Sequence, residues 1–316
     1  MPSGPRRVLV YGWYHQDNLG DDLFVEAFKK LFPEFEFTFS NFLTRSQVRR
    51  CDAVFFGGGS FLDNPVRGEA GIVEAVAKRK VLYVGVGLET SFDPDHVRLM
   101  KRSKMVAARS RHEAFEGALK IPDLVYSLSG DRAAARKKRL LFLPNVAVVP
   151  TRKDPQWKHA AWGYFKSECS QFLDESVDAG YEVSLLPMCR SSKMDDGWAA
   201  AELVSQMEYR ERSLILSDSP KTASESIALF SSYSAVVTQR FHGIVLAEMS
   251  GVRCVAIAHH DKLATSGAGC TSIPYYGVTK VALRSALEAA RPAGPRKDDD
   301  EALSVMCKTV REIVQG

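Results

Sequence analysis

The strongest constraint on this chain is the way its short apolar runs end. One after another they stop in glycine or polar clusters and give way to hydrophobic residues at helical spacing. Val8–Tyr11 precedes a helical pattern at Leu23, Ala27, Phe28 and Leu31, which Pro33 stops. Ala53–Phe56 ends in Gly57-Gly58-Gly59, and Val81–Val84 in Gly85-Val86-Gly87. Met105–Ala108 delivers Arg109-Ser110-Arg111, and the apolar run Leu124–Leu128 delivers Ser129-Gly130-Asp131. Continuous apolar strands alternating with amphipathic helices predict parallel sheets covered on both faces. The alternation resumes with strand-like runs at 140–143, 182–186, 214–216, 235–238 and 254–258. Helical patterns fall at about 158–178, 197–208, 223–232, 240–250 and 301–314.

A chain of 316 residues is long for one domain and comfortable for two. The predicted fold class is therefore α/β, with two Rossmann-like doubly wound domains facing a cleft. Their strand carboxyl ends are expected to line that cleft. The predicted division is 1–135 and 136–316, the last helix (301–314) going with the second half. The basic stretch Arg132–Arg139 near the join reads as a solvated linker or helix rather than a polyanion contact.

Composition narrows the function classes. A formal net charge of +4 is too slight to indicate a nucleic-acid binder, yet it suits an enzyme handling anionic small molecules. Val8–Tyr11 is far too short for a signal-peptide core, and the sequence holds no 18-residue apolar run. A cytoplasmic protein with no membrane span is expected. The six cysteines form no C-x-x-C pair or Cys/His cluster, so reduced thiols and no metal site are predicted.

The motifs sit just after predicted strands, where open α/β sheets bind ligands. In Asn18-Leu19-Gly20-Asp21-Asp22, Gly20 permits a sharp turn while Asn18 and Asp21 offer hydrogen bonds to loop amides or a ligand hydroxyl; Asp21 also reads as a helix cap. Gly57, Gly58 and Gly59 allow a ligand close to backbone amides, but no G-x-G-x-x-G or P-loop follows, so a dinucleotide is disfavoured. Arg109 and Arg111 present forks suited to carboxylate or phosphate. The most informative motif is Gln239-Arg240-Phe241-His242-Gly243. It takes an apolar strand into the first turn of a helix, where free amides and the dipole favour an anion. Arg240 adds a permanent cation, and His242 a group that exchanges protons near neutral pH. His259-His260-Asp261-Lys262 follows the next strand. There Lys262 could reach the same anion, and the two histidines read as loop residues rather than metal ligands.

Taken in order, Gly12…Asn18-Leu19-Gly20-Asp21, Gly57-Gly58-Gly59, Gly85-Val86-Gly87, Arg109-Ser110-Arg111, Gly130-Asp131, Arg240-Phe241-His242 and Asp261-Lys262 resemble the polysaccharide pyruvyl transferases over nearly the whole chain. The resemblance implies a GT-B-like fold and transfer of pyruvate from phosphoenolpyruvate onto a sugar as a ketal, in polysaccharide biosynthesis for the cell envelope. Phosphoenolpyruvate would be a co-substrate, with no cofactor. By resemblance Arg240 and His242 fall on the donor-site R-x-H and Lys262 on the lysine after it. Arg109, Arg111 and Gly243 complete the expected donor set. His242 is expected to be the general acid and base, and Asp21 or Asp131 to orient or deprotonate the acceptor hydroxyl. Asn18, Gly20 and Gly57–Gly59 would line the acceptor side. The acceptor would be a glycan, lipid-linked or nucleotide-linked sugar, and a homo-oligomer is compatible with the sequence. His15 and Gln16 depart from the smaller residues expected in their loop. The rival readings are a GT-B glycosyltransferase using a sugar nucleotide and a catalytically silent sugar-binding protein.

Overall fold

The computed structural model describes all residues except 1–3, 89–90, 134–137, 261–262, 264–268 and 293–296. The chain divides into two compact units. The first comprises residues 1–16, 21–128 and 296–316, and the second 17–20 and 129–295.

The first unit is built on a parallel sheet in the order β2-β1-β3-β4-β5-β6. Its strands are β1 (Arg6–Tyr11), β2 (Phe35–Ser40), β3 (Ala53–Gly59), β4 (Lys80–Val86), β5 (Met105–Ala108) and β6 (Leu119–Lys120). Every residue of β3 is buried, as a central strand covered on both faces requires. Phe55 meets Phe28 of α1 (Leu19–Leu31), and Phe32 just after it, on one face. Phe56 points the other way, stacking on Tyr83 and meeting His96 of α4 (Pro94–Arg102) edge-on. Two short helices, α2 (Arg45–Arg50) and α3 (Ile72–Val76), supply Val48, Ile72, Val73 and Val76 to this second core.

The second unit's parallel sheet runs β12-β11-β10-β7-β8-β9. The strands are β7 (Arg139–Leu143), β8 (Glu182–Leu185), β9 (Ser213–Ile215), β10 (Ala235–Thr238), β11 (Arg253–Ala258) and β12 (Cys270–Pro274). Leu140, Phe142 and Val237 pack with α5 (Gln156–Asp178), α6 (Asp196–Ser205) and α9 (Lys280–Ala289). Helices α7 (Ala223–Ser231) and α8 (Phe241–Met249) pack on one another. From Gly243 to Met249 α8 is buried throughout, which fits a sequence that is apolar on all sides but for Glu248.

Several expectations are corrected. The run 124–128 is a 3₁₀ helix, Leu124–Ser127, not a strand. Helix α1 begins at Leu19, so Asp21 sits in its first turn rather than at its cap. The last helix, α10 (Lys297–Gln315), joins the first unit instead of the second half. Its Arg311 pairs with Glu34 at 2.6 Å, donates to the Leu31 carbonyl and lies over the Phe32 ring. Asp131 falls in the second unit, since the division lies at 128/129 rather than 135/136.

The basic stretch has a structural use in its described residues. Arg132 donates to the Met249 carbonyl and Lys138 to the Ala179 carbonyl, placing cations at the carboxyl ends of α8 and α5.

Candidate active site

In the second sheet the strand order reverses between β7 and β10. The chain runs outward from β7 through β8 and β9, then returns to lay β10 against the other side of β7. A crevice at such a reversal is where doubly wound sheets bind ligands. Asn145 leaves β7 here, and Gln239–His242 leave β10. The two exits are tied together: the Gln239 amide donates to the Leu143 carbonyl, and the Asn145 amide to Gln239 Oε1.

Arg240 is the N-cap residue of α8 in extended conformation, with no side-chain cap bond at this helix start, and the Thr238 side chain pins the Arg240 backbone. The Thr238 hydroxyl accepts from the Arg240 amide at 2.9 Å and contacts the Arg240 carbonyl at 3.0 Å. The Gly243 amide also bonds that carbonyl, at 3.0 Å, so it is spent within the turn rather than offered to a ligand. A Cβ at Gly243 would overlap Thr238 Oγ1. Close packing of the helix start on the end of β10 thus accounts for this glycine.

The guanidinium of Arg240 is held by Asp196. Nε donates to Asp196 Oδ2 at 2.9 Å, and Nη2 donates to Oδ1. Asp196, fully buried at the first position of α6, also accepts from the amides of Cys189 (2.9 Å) and Val146 (3.0 Å). One carboxylate therefore fixes the β7 loop, the segment after β8 and the guanidinium together. The Arg240 side chain remains 15% exposed. With the Nε/Nη2 edge committed to Asp196, the Nη1/Nη2 edge is the one that remains for a planar anion.

His242 stands two residues further on, half-buried and edge-on to Phe241. Its Nδ1 lies where a Cβ on Gly20 would be. The segment carrying Gly20 is stitched to the second unit by its backbone. The Leu19 amide donates to the Met188 carbonyl at 2.9 Å, the Arg190 amide to the Asp17 carbonyl at 2.8 Å, and Asn18 bridges Cys189. The preceding loop has a cramped path, with His15 and Asp17 both at left-handed φ (57° and 48°). Of the residues singled out in the sequence, the structure brings Asn18, Gly20, Arg240, His242 and Gly243 into the second unit. Asp131 is exposed there, and Lys262 and Asp261 lie outside the described residues.

The first unit holds the others. A Cβ on Gly59 (φ 88°) would come within 2.8 Å of Asp21 Oδ1, so the carboxylate lies against the end of β3. A Cβ on Gly57 or Gly58 would strike Phe28 or Phe24, so those glycines let α1 pack tightly on β3. Arg109 donates to Asp123 at 2.7 Å and to the Ser60 hydroxyl at 3.1 Å, joining the end of β3 to the 124–127 turn. Arg111 is exposed.

Sequence reasoning missed Asp196, Asn145 and the strands β2, β6 and β12. Asp196 had one available signal: it opens a helical pattern directly after Asp195, whose side chain caps α6. Among the described residues no group of three or more His, Cys, Asp or Glu could hold a metal ion, and no helix is long and apolar enough to cross a membrane.

Two Rossmann-like units define a protein of the GT-B structural class. Solved structures with this fold include the S. aureus MnaA–UDP co-structure (TM-score 0.58, 10% identity, covering 98% of this chain and 97% of that one). UDP-GlcNAc 2-epimerase from Methanocaldococcus jannaschii is similar at TM-score 0.55 and 11% identity, over 96% and 99% of the two chains. An alpha-glucosyltransferase in complex with UDP and a 13-mer DNA matches at TM-score 0.50 and 10% identity, over 98% and 95%. At such identities the likeness shows the fold alone. A comparison with curated proteins finds no match. The polysaccharide pyruvyl transferase family model matches residues 18–261, and the chain belongs to that family.

Proposed function

We propose that the protein transfers pyruvate from phosphoenolpyruvate to a pair of hydroxyls on a sugar, forming a pyruvyl ketal and releasing phosphate. The observation that carries this reading is the cation at the strand reversal. Arg240 is locked at the start of α8 by a buried carboxylate, with the imidazole of His242 two residues away.

In this reading the outer edge of Arg240 binds the donor's carboxylate or phosphate through paired hydrogen bonds. Lys262, carried over from the family resemblance, adds a second cation. Protonated His242 delivers a proton to the methylene carbon of phosphoenolpyruvate, which makes the adjacent carbon electrophilic. One sugar hydroxyl adds to that carbon, phosphate leaves with its bonding pair, and the second hydroxyl closes the ketal. One proton enters and two leave, so a group that both donates and accepts near neutral pH suits the task.

The test is incubation of purified protein with phosphoenolpyruvate and a panel of glycosides, following phosphate release and product mass. A sugar-nucleotide arm runs in parallel. Phosphate release with a product carrying the pyruvyl ketal is the expected result. Turnover of sugar nucleotides without consumption of phosphoenolpyruvate would replace this reading with a glycosyltransferase.

A further inference from the structure

We propose that a cavity in the second unit binds a neutral sugar ring of the acceptor glycan, beside the donor site. This rests on the function proposed above and names where part of its acceptor docks. The cavity, about 210 Å³, lies under the loop 147–150 and is walled by Asp154, just before α5, and Lys158 in its first turn. Its remaining polar walls are His259 and His260 after β11, and Tyr275 and Tyr276 after β12. Strand carboxyl ends again supply the lining, as expected of a ligand site in a doubly wound sheet.

Three features point to a sugar. First, the rim is aromatic. Tyr276, which lines the cavity, is 67% exposed, and Trp157 beside it, outside the lining, is 56% exposed, their ring centroids 6.3 Å apart. Large aromatic faces left in water beside a concavity are suited to stacking on an apolar ring face. Second, the lining charges balance. Lys158 donates to Asp154 at 2.7 Å, and Asp154 also accepts from the Thr151 amide and hydroxyl. A phosphate or carboxylate would gain little from a lysine already paired with a carboxylate. Sugar hydroxyls, which donate and accept at once, can use the remaining capacity of both groups. Third, the cavity is joined to the candidate active site. His259 Nε2 lies 3.3 Å from Asn145 Nδ2, and Asn145 is the residue whose amide bonds Gln239, next to Arg240. A ring seated against His259 is thus one side chain removed from the donor-binding strand end. The ligand is a pyranose unit of an oligosaccharide acceptor.

The experiment uses the full chain, wild type and Tyr276→Ala, both checked for equal melting. Methyl glycosides of the common hexoses and N-acetylhexosamines are titrated by saturation-transfer NMR and calorimetry. UDP and phosphoenolpyruvate are titrated separately. At least one glycoside should bind wild type, and Tyr276→Ala should weaken it by about tenfold, the order expected for losing one aromatic stacking face. Absence of glycoside binding to wild type, or equal binding by the variant, overturns the proposal. So does UDP binding that Tyr276→Ala abolishes, which would make the cavity a nucleobase site. The phosphoenolpyruvate titration reports on the donor reading alone, so failure there leaves the glycoside result standing.

Discussion

Asp196→Asn probes the strand-end cluster most directly. The carboxylate accepts from Arg240 Nε and the Cys189 amide on one oxygen, and from Arg240 Nη2 and the Val146 amide on the other. Asparagine has almost the same shape, but it keeps one acceptor oxygen and turns the other into a donor. Whichever way the amide is turned, two N–H groups then face an N–H, and Arg240 loses its counter-ion. Removing one member of a buried pair costs about 3–5 kcal/mol because the survivor is left charged and poorly hydrated. The 15% exposure of Arg240 lets water reach it, which favours the lower end, roughly 3 kcal/mol. At about 2–4 °C per kcal/mol for domains of this size, Tm should fall by about 6–12 °C. Calorimetric melting reads this. A double-mutant cycle with Arg240→Met should show coupling above about 1 kcal/mol. Phosphoenolpyruvate affinity should fall as well, since the guanidinium is no longer held. A Tm within about 2 °C of wild type, with additive single-variant effects, would refute the view that Asp196 organises this corner.

Other expectations test neighbouring features. Gly20→Ala puts a methyl onto His242 Nδ1, so the imidazole must move; kcat should drop at least about tenfold in protein that still folds, and unchanged kcat would mean the imidazole has no fixed task. His242→Ala should fold, retain most donor affinity and lose about 10²–10⁴-fold in kcat, whereas Arg240→Lys should chiefly weaken donor binding; equal effects on both parameters in both variants would contradict the division of labour. His96 is fully buried beside Tyr83, and burial pushes its imidazole down to about 4. Because that lies below the value near 6.5 of a free imidazole, its contribution is complete above pH ~6.5 and lost as pH falls toward 4, up to roughly 3 kcal/mol. Tm measured across that window should decline in wild type and less so in His96→Phe; parallel curves would count against the assignment. Turnover should survive exhaustive chelation, and loss of activity restored by a divalent ion would overturn the metal-free scheme.

Much of the fold was legible because its physics is local. Apolar strands buried on both faces need no alternation, so Ala53–Phe56, Val81–Val84 and Ala235–Thr238 stood out, and the glycine or polar cluster after each marked a carboxyl end. The same locality exposed Arg240 and His242, since a cation and an imidazole in the first helical turn after a strand form a pattern within one short segment. Only tertiary structure decided what those groups are bonded to. Asp196 lies 44 positions from Arg240, and the link exists because β7 sits between β10 and β8, which brings the start of α6 to the end of β10. Gly20 and His242 are more than two hundred residues apart, and their approach depends on residues 17–20 pairing with 188–190 rather than on any property of either motif. The last helix shows the same limit. Its amphipathic pattern announced a helix, but Arg311, by finding Glu34 and Phe32, chose the unit it joins. A sequence pattern tells which face of an element must be covered, while the partner that covers it is set by long-range packing that no local window contains.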